Sequence, residues 1–212
     1  GDGPHVCIHH SSCNLTSRMS NAIYMAPHHK RYFVPSALPQ LEAEKKNDTK
    51  LEICAIGSTE RRKWQLMTPF FEDPLNEKKY FDKIRIRMLG KGGMPKLMRD
   101  FENKMEIEYK QLDDDRQFYA AIKACGVIIL PIAKNDEGKM YRNYFKSPPD
   151  SEWKLSGSIP PIIAYQKPFV LPQELVELYQ KELPMHLPHR GYDDETDTGF
   201  SEALISLLEK LL

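Results

Sequence analysis

Seven consecutive residues near the middle of the chain, Gly126-Val127-Ile128-Ile129-Leu130-Pro131-Ile132, leave the fewest choices for folding. An apolar run of this length, bounded by Gly and Pro, suits a central parallel strand covered on both faces. Such a strand needs further strands beside it and helices above and below. Its carboxyl end feeds a long loop rich in Lys, Arg, Tyr, Asn and Asp, the end at which open α/β sheets place ligands.

The flanking sequence supplies the partners in alternation. Leu51–Ile56 reads as a strand ending at Gly57-Ser58-Thr59. Glu60–Phe71 follows with helical spacing of Trp64, Met67 and Phe71, and Thr59 stands where a cap would be. Lys83–Leu89 alternates Ile84, Ile86 and Met88 with Lys83, Arg85 and Arg87, then breaks at Gly90-Lys91-Gly92-Gly93. Met94–Asn103 is a short helix, and Glu106–Tyr109 a polar strand suited to a sheet edge. Asp113-Asp114-Asp115 opens a helix over Arg116–Ala124, where carboxylates complement the dipole. After the central strand come a helix at Ile159–Gln166, a strand at Pro168–Leu171 and amphipathic helices over Gln173–Leu183 and Phe200–Leu212. The pattern predicts an α/β, Rossmann-like three-layer domain with a mainly parallel sheet of five or six strands and right-handed crossovers.

This domain spans residues 51–212. Residues 1–50 read as an extended arm or linker, with Pro27, Pro35 and Pro39 setting its course and short extended pieces at residues 5–10 and 21–25. The chain opens on Gly-Asp-Gly-Pro without a Met, which reads as a cut or an expression scar and hence as a piece of a longer chain.

Composition narrows the partners. Acids and bases balance at 30 each among 212 residues, so no basic field points to nucleic acid. No apolar run approaches a membrane span of ~18 residues. None of Cys7, Cys13, Cys54 and Cys125 has a CxxC partner, which argues against a zinc ribbon or redox motif; Cys54 and Cys125 read as small core residues. Asn14-Leu15-Thr16 and Asn47-Asp48-Thr49 match the glycosylation acceptor pattern, yet nothing resembles a secretion signal, and the chain reads as cytoplasmic. The pairs His9-His10 and His28-His29 read as polar loop residues, because adjacent side chains diverge and grip a metal poorly. No metal and no bound cofactor are expected.

One stretch carries the ingredients of an anion site. Lys154-Leu155-Ser156-Gly157-Ser158 precedes the helix at Ile159 and offers an ammonium, two hydroxyls, a flexible backbone and the positive end of a dipole. Pro160 and Pro161 lack amide hydrogens, so Ser156, Ser158, Lys154 and the amides of Gly157 to Ile159 would do the binding. The alternative at this point is that Ser158 only caps the helix. A second basic group, Arg61-Arg62-Lys63, follows the first strand; it is either the solvated start of a helix or, since cations oppose the dipole there, the mark of an anionic partner.

This order of pieces resembles the carboxy-terminal, donor-binding half of the GT-B glycosyltransferases, over roughly residues 50–212. Ile56-Gly57-Ser58-Thr59-Glu60-Arg61-Arg62-Lys63 is similar to that family's first strand and turn, in which a Gly and a basic pair meet the donor diphosphate. Met88-Leu89-Gly90-Lys91-Gly92 resembles its second strand, and Gln111-Leu112-Asp113-Asp114 the place where the backbone holds the nucleotide base. Ser156-Gly157-Ser158-Ile159 stands where such enzymes bring a helix start to the phosphates, and Lys167-Pro168-Phe169-Val170 resembles the following strand. Leu155–Tyr165 contains no acid, unlike the phosphate loop of many retaining members.

The resemblance implies a nucleoside-diphosphate sugar, UDP- or GDP-linked, as substrate. It implies Gly57, Ser58, Arg61, Arg62, Lys63, Gly90, Gln111, Leu112, Lys154, Ser156, Gly157 and Ser158 around it. It further implies an amino-terminal acceptor domain as partner, of which residues 1–50 would be either a remnant or simply an arm, and electrostatic stabilisation of the departing diphosphate by Arg, Lys and a helix amino terminus. No catalytic base is assigned. In the long loop, Tyr141, Arg142, Tyr144 and Trp153 are candidates for sugar or phosphate, or surface packing residues. The competing expectation is a Rossmann-like nucleotide-binding or regulatory module without transfer activity. A dehydrogenase is disfavoured, because no G-x-G-x-x-G follows the first strand.

Overall fold

The computed structural model describes residues 8–9, 23–24, 42, 49–133, 156–193 and 196–212. Two short strands, β1 (Ile8–His9) and β2 (Ile23–Tyr24), pair in parallel as a small sheet of their own. Both fall within the extended pieces that the sequence predicts.

The main sheet has six strands, all parallel: β3 (Leu51–Ile56), β4 (Ile84–Leu89), β5 (Glu106–Lys110), β6 (Val127–Ile129), β7 (Phe169–Pro172) and β8 (His189–Tyr192). Their order across the sheet is β5-β4-β3-β6-β7-β8. The chain steps outward from β3 to β5, returns to place β6 on the other flank of β3, and steps outward again. The strand order therefore reverses between β3 and β6, the position at which sheets of this kind open a crevice. Five of the strands fall where the sequence predicts them. β8 does not appear in the sequence reading, because His189-Arg190-Gly191-Tyr192 has no apolar alternation. It exists through its pairing with β7, in the register Phe169↔His189 to Pro172↔Tyr192.

Two apolar layers sandwich the sheet. On one face, Ile53, Ala55, Ile84, Ile86, Met88, Val127, Ile129 and Val170 meet helices α1 (Thr68–Glu72), α2 (Pro74–Tyr80), α3 (Lys96–Phe101) and the last helix, α7 (Gly199–Leu211). On the other face, Cys54, Ile56, Leu89, Ile128, Leu130, Phe169 and Leu171 meet α4 (Asp115–Ala124), α5 (Ile159–Ala164) and α6 (Gln173–Leu178). In α7 the buried Phe200, Leu204, Leu207 and Leu208 recur at helical spacing. Burial of each such side chain contributes about 1.5–3 kcal/mol, which explains why this 13-residue helix is so plain in the sequence. α4 begins where the acidic triplet predicts, with the Asp114 carboxylate accepting the Gln117 N–H at 2.9 Å.

Three local expectations are corrected. Residues 60–71 do not form one helix: 3-10 turns at Thr59–Arg61 and Trp64–Met67 precede α1. Lys63 interrupts the run with φ −90° and ψ 80°, and Pro69 stands in the first turn of α1, where its missing N–H costs nothing. Thr59 is not a cap; its hydroxyl donates to the carbonyl oxygen of Gly93 at 2.8 Å and lies 3.2 Å from that of Lys91. Cys54 and Cys125 are buried as predicted, but they are joined in a disulfide with Cα atoms 5.9 Å apart.

The polar strand β5 does lie at an edge. Its carboxylates, with cations from β4 and from Lys50 just before β3, build a ladder across the α4 face of the sheet. Arg87 donates to Glu52 at 3.2 Å and to Glu108 at 2.7 Å; Arg85 donates to Glu106 at 2.6 Å and meets Glu52 at 3.4 Å. Lys50 adds a contact to Glu106 at 3.3 Å. Glu52 and Arg87 are only 2% and 3% exposed, so each buried charge depends on its partner.

Candidate functional site

The carboxyl ends of β3, β4 and β5 form one continuous construction. At the end of β3, Gly57 takes φ 101°, and its N–H donates to the Leu89 carbonyl at 2.8 Å. At the end of β4, Gly90 takes φ 152°, and its N–H donates to the Lys110 carbonyl at 3.0 Å. The two turns touch backbone to backbone: a Cβ on Gly90 would lie 2.0 Å from the Gly57 carbonyl oxygen. Only glycine permits both this approach and this dihedral. The Thr59 N–H to the Lys91 carbonyl, 2.8 Å, and the Thr59 hydroxyl fasten the next residues together.

Above this floor lies a cavity of about 550 Å³. The turn after β3 contributes Gly57, Ser58, Glu60 and Arg61; the turn after β4 contributes Gly90 and Lys91. The opposite wall comes from the loop after β5 and the start of α4: Leu112, Asp113, Asp115 and Phe118. The chemistry is divided. Leu112 and Phe118 form an apolar side, Arg61 and Lys91 supply positive charge, and three carboxylates supply hydroxyl acceptors. Arg61, Lys91 and Asp113 are exposed, so their side chains can meet an incoming solute.

Five of the residues expected from sequence stand together here: Gly57, Ser58, Arg61, Gly90 and Leu112. Among the described residues, the others do not line this cavity. Arg62 folds back, its guanidinium donating to the Ile56 carbonyl and crossing so close to Gly57 that an added Cβ there would lie 2.9 Å from Nη2. Lys63 is half-buried, and its N–H donates to the Pro131 carbonyl at 2.9 Å, tying the loops after β3 and β6 across the switch point. Gln111 is exposed, accepts the Tyr109 hydroxyl at 3.3 Å and donates to Asp113 at 3.4 Å.

The serine turn is directed inward. Ser156 and Ser158 are 1% and 0% exposed, while Gly157 is exposed. The Ser158 N–H donates to the Ser156 hydroxyl at 3.4 Å, and the Ile159 N–H to the Ser156 carbonyl at 3.1 Å. Two of the three amides expected at an anion thus have acceptors inside the turn, and α5 is six residues long with two prolines. Nor does the Ser158 side chain cap α5. Among the described residues, those of the serine turn are not part of the lining of this cavity. Lys154, Tyr141, Arg142, Tyr144, Trp153, His10, His28 and His29 lie outside the described residues.

Glu60, Lys91, Asp113, Asp115 and Phe118 line the cavity although the sequence reading gives them no role there. Lys91 stands between two glycines and Asp113 opens the acidic triplet; those are the local signals. Phe118 is recognisable only once α4 is placed, because its position one turn into the helix sets it over the loop after β5. Among the described residues no group of His, Cys, Asp and Glu is arranged to hold a metal ion. Among them also, no helix is long and apolar enough to cross a membrane.

The strand order and the glycine-floored cavity define a Rossmann-like α/β domain. No protein-family model and no curated protein matches the chain. Among solved structures, OtsA in its apo form aligns with 76% of this chain at 13% identity and a TM-score of 0.43. The chain spans 36% of the length of that OtsA. A likeness of this degree carries no functional argument, and the fold assignment rests on the strand order and register described above.

Proposed function

We propose that this domain binds a nucleoside-diphosphate sugar in the cavity over Gly57 and Gly90 and serves as the donor-binding half of a glycosyltransferase. One observation carries the reading: the cavity above the two stacked glycine turns lies between an apolar wall and two cations. The base packs against Leu112 and Phe118, where the backbone of Gln111 and Leu112 is within its reach. The ribose hydroxyls have Asp113 as acceptor. The diphosphate lies toward Arg61 and Lys91, with the Ser58 hydroxyl as a further donor.

In sugar transfer, negative charge builds on the departing diphosphate. Arg61 offers a planar fork suited to phosphate, Lys91 a mobile point charge, and both act electrostatically. An acceptor domain would supply the nucleophile and its base. Among the described residues, Arg62, Lys63, Ser156, Gly157 and Ser158 have no part in this version of the site.

A second reading is a nucleotide-binding module without transfer. It draws on the charge of the wall, where Glu60, Asp113 and Asp115 outnumber Arg61 and Lys91. Such a balance favours the nucleoside end of a ligand over its phosphates. Calorimetry with UDP-, GDP- and ADP-linked sugars, the free diphosphates and the bare nucleosides separates the readings. Donor binding predicts that diphosphates bind better than nucleosides, and that Arg61→Ala weakens the diphosphates about tenfold while leaving nucleosides unchanged. Equal binding of nucleoside and diphosphate favours the module. If no nucleotide binds or protects the fold, both readings fail.

A further inference from the structure

We infer that Cys54 and Cys125 form a structural disulfide as the chain folds, and that the protein therefore matures where protein thiols are oxidised. Cys54 lies in the middle of β3, and Cys125 follows the last residue of α4. Their Cα atoms are 5.9 Å apart, within the range that bridged pairs occupy. Cys54 is 0% and Cys125 1% exposed, in the layer that also holds Ala121, Ile122, Ile128 and Leu130. Burial in such surroundings keeps solvent thiols away, so the bond, once made, persists in the folded domain. It is a staple rather than a switch.

Its place in the chain gives the staple a purpose. The bridge spans a sequence separation of 71 residues. That interval contains β4, α3, β5 and α4, and with them Gly57, Arg61, Gly90, Lys91, Leu112, Asp113, Asp115 and Phe118. Every described residue on the cavity wall thus lies inside the closed loop. The bond joins the strand that leads into Gly57 to the helix whose first turn carries Asp115.

The chemistry balances with one external oxidant. The two thiols lose two protons and two electrons, the S–S bond forms, and a disulfide on a thiol–disulfide oxidoreductase or an oxidised small thiol is reduced to two thiols. That oxidant is plentiful in secretory and periplasmic compartments and scarce in a reducing cytosol. The inference differs from the cytoplasmic expectation drawn from sequence.

The 212-residue chain is produced once in an oxidising compartment and once in a reducing cytosol, then denatured with an alkylating reagent and no reductant, and its peptides are mapped by mass. From the oxidising compartment, the Cys54 and Cys125 peptides are expected joined, separating on addition of reductant. From the cytosol, both are expected alkylated, with the folding equilibrium constant lower by about a thousandfold for a loop of this size. Alkylated Cys54 and Cys125 in the first preparation, or a bond from either to Cys7 or Cys13, would overturn the pairing. An equal yield of the cross-link from the cytosol would overturn the compartment. The double variant Cys54→Ala, Cys125→Ala is expected to unfold at a lower midpoint that reductant does not change; a midpoint equal to the oxidised parent would overturn the staple.

Discussion

The two halves of the sheet share a layout and differ at their carboxyl ends. The half made of β3, β4 and β5 ends in Gly57 and Gly90, whose backbones stack in the left-handed region and leave a cavity above them. In the half made of β6, β7 and β8, the end of β6 is clasped from within. The Tyr192 hydroxyl lies 2.8 Å from the Leu130 carbonyl and 2.7 Å from that of Ile132, and accepts the Ile132 N–H at 3.0 Å. Its ring packs edge-on against Phe200, with centroids 5.1 Å apart. Backbone without side chains lets two turns stack beneath a cavity; backbone gripped by a buried phenol fixes the end of a strand. One fold has put the two devices side by side across its switch point.

Substitutions can break this contrast, beginning with the glycine floor. Gly90→Ala drives a Cβ into the Gly57 carbonyl at a dihedral that alanine rarely adopts, and is expected to cost on the order of 4 kcal/mol or to prevent folding. Gly157→Ala, with no atom within 4 Å of the added Cβ, is its control and should stay within about 0.5 kcal/mol by urea denaturation. A comparable loss in both variants would show that the floor is not special.

Arg87→Met tests the buried ladder of the same half. It removes one of the cations that pair with the buried Glu52, and a loss of about 3 kcal/mol is expected in denaturant titrations. Tyr192→Phe tests the other half by removing only the hydroxyl. It should cost about 1–3 kcal/mol, since the Ile132 N–H loses its acceptor, and hydrogen exchange at that amide should accelerate. Unchanged exchange would show that the clasp does not hold the loop.

The smallest effect is a pH dependence at the β5 edge. The hydrogen bond from Arg85, helped by Lys50 and opposed by burial, holds the Glu106 carboxyl below its ordinary value of 4.5. A lowered folded-state pKa means that the stabilisation is complete above the unfolded value and fades as pH falls through the folded one. Glu106→Gln should therefore lower stability near neutrality, and the gap from the parent should close at acid pH. A gap independent of pH would mean that the ion pair contributes nothing.

Legibility in the sequence followed burial. Leu51–Ile56, Ile84–Leu89 and Gly199–Leu211 announce themselves because one face or both is apolar. β8 escaped because its strand character comes from β7 rather than from its own residues. The stretch Thr59–Met67 misled because helical spacing of Trp64 and Met67 also serves 3-10 turns, with the Trp64 indole donating to the Thr59 carbonyl at 2.8 Å. At the site, the glycines were legible since a turn and a basic neighbour mark them. Direction was not: adjacent Arg61 and Arg62 look equivalent in sequence, yet one faces the cavity and the other grips the Ile56 carbonyl. In the serine turn, too, direction was hidden: the Ser158 and Ile159 amides that suit an anion have acceptors on Ser156. The disulfide was hidden by a separation of 71 residues, which only the closed sheet brings together.

The ionic ladder has one more effect, on alignment. In the observed pairing Arg85 stands across from Glu106 and Arg87 from Glu108. Sliding β5 by a single residue would set Arg87 against Ile107 or Tyr109 and turn the carboxylates toward Met98 and Phe101. An edge strand with so few greasy contacts has little else to say where it belongs; its charges work as the teeth of a key, admitting one offset and rejecting its neighbours.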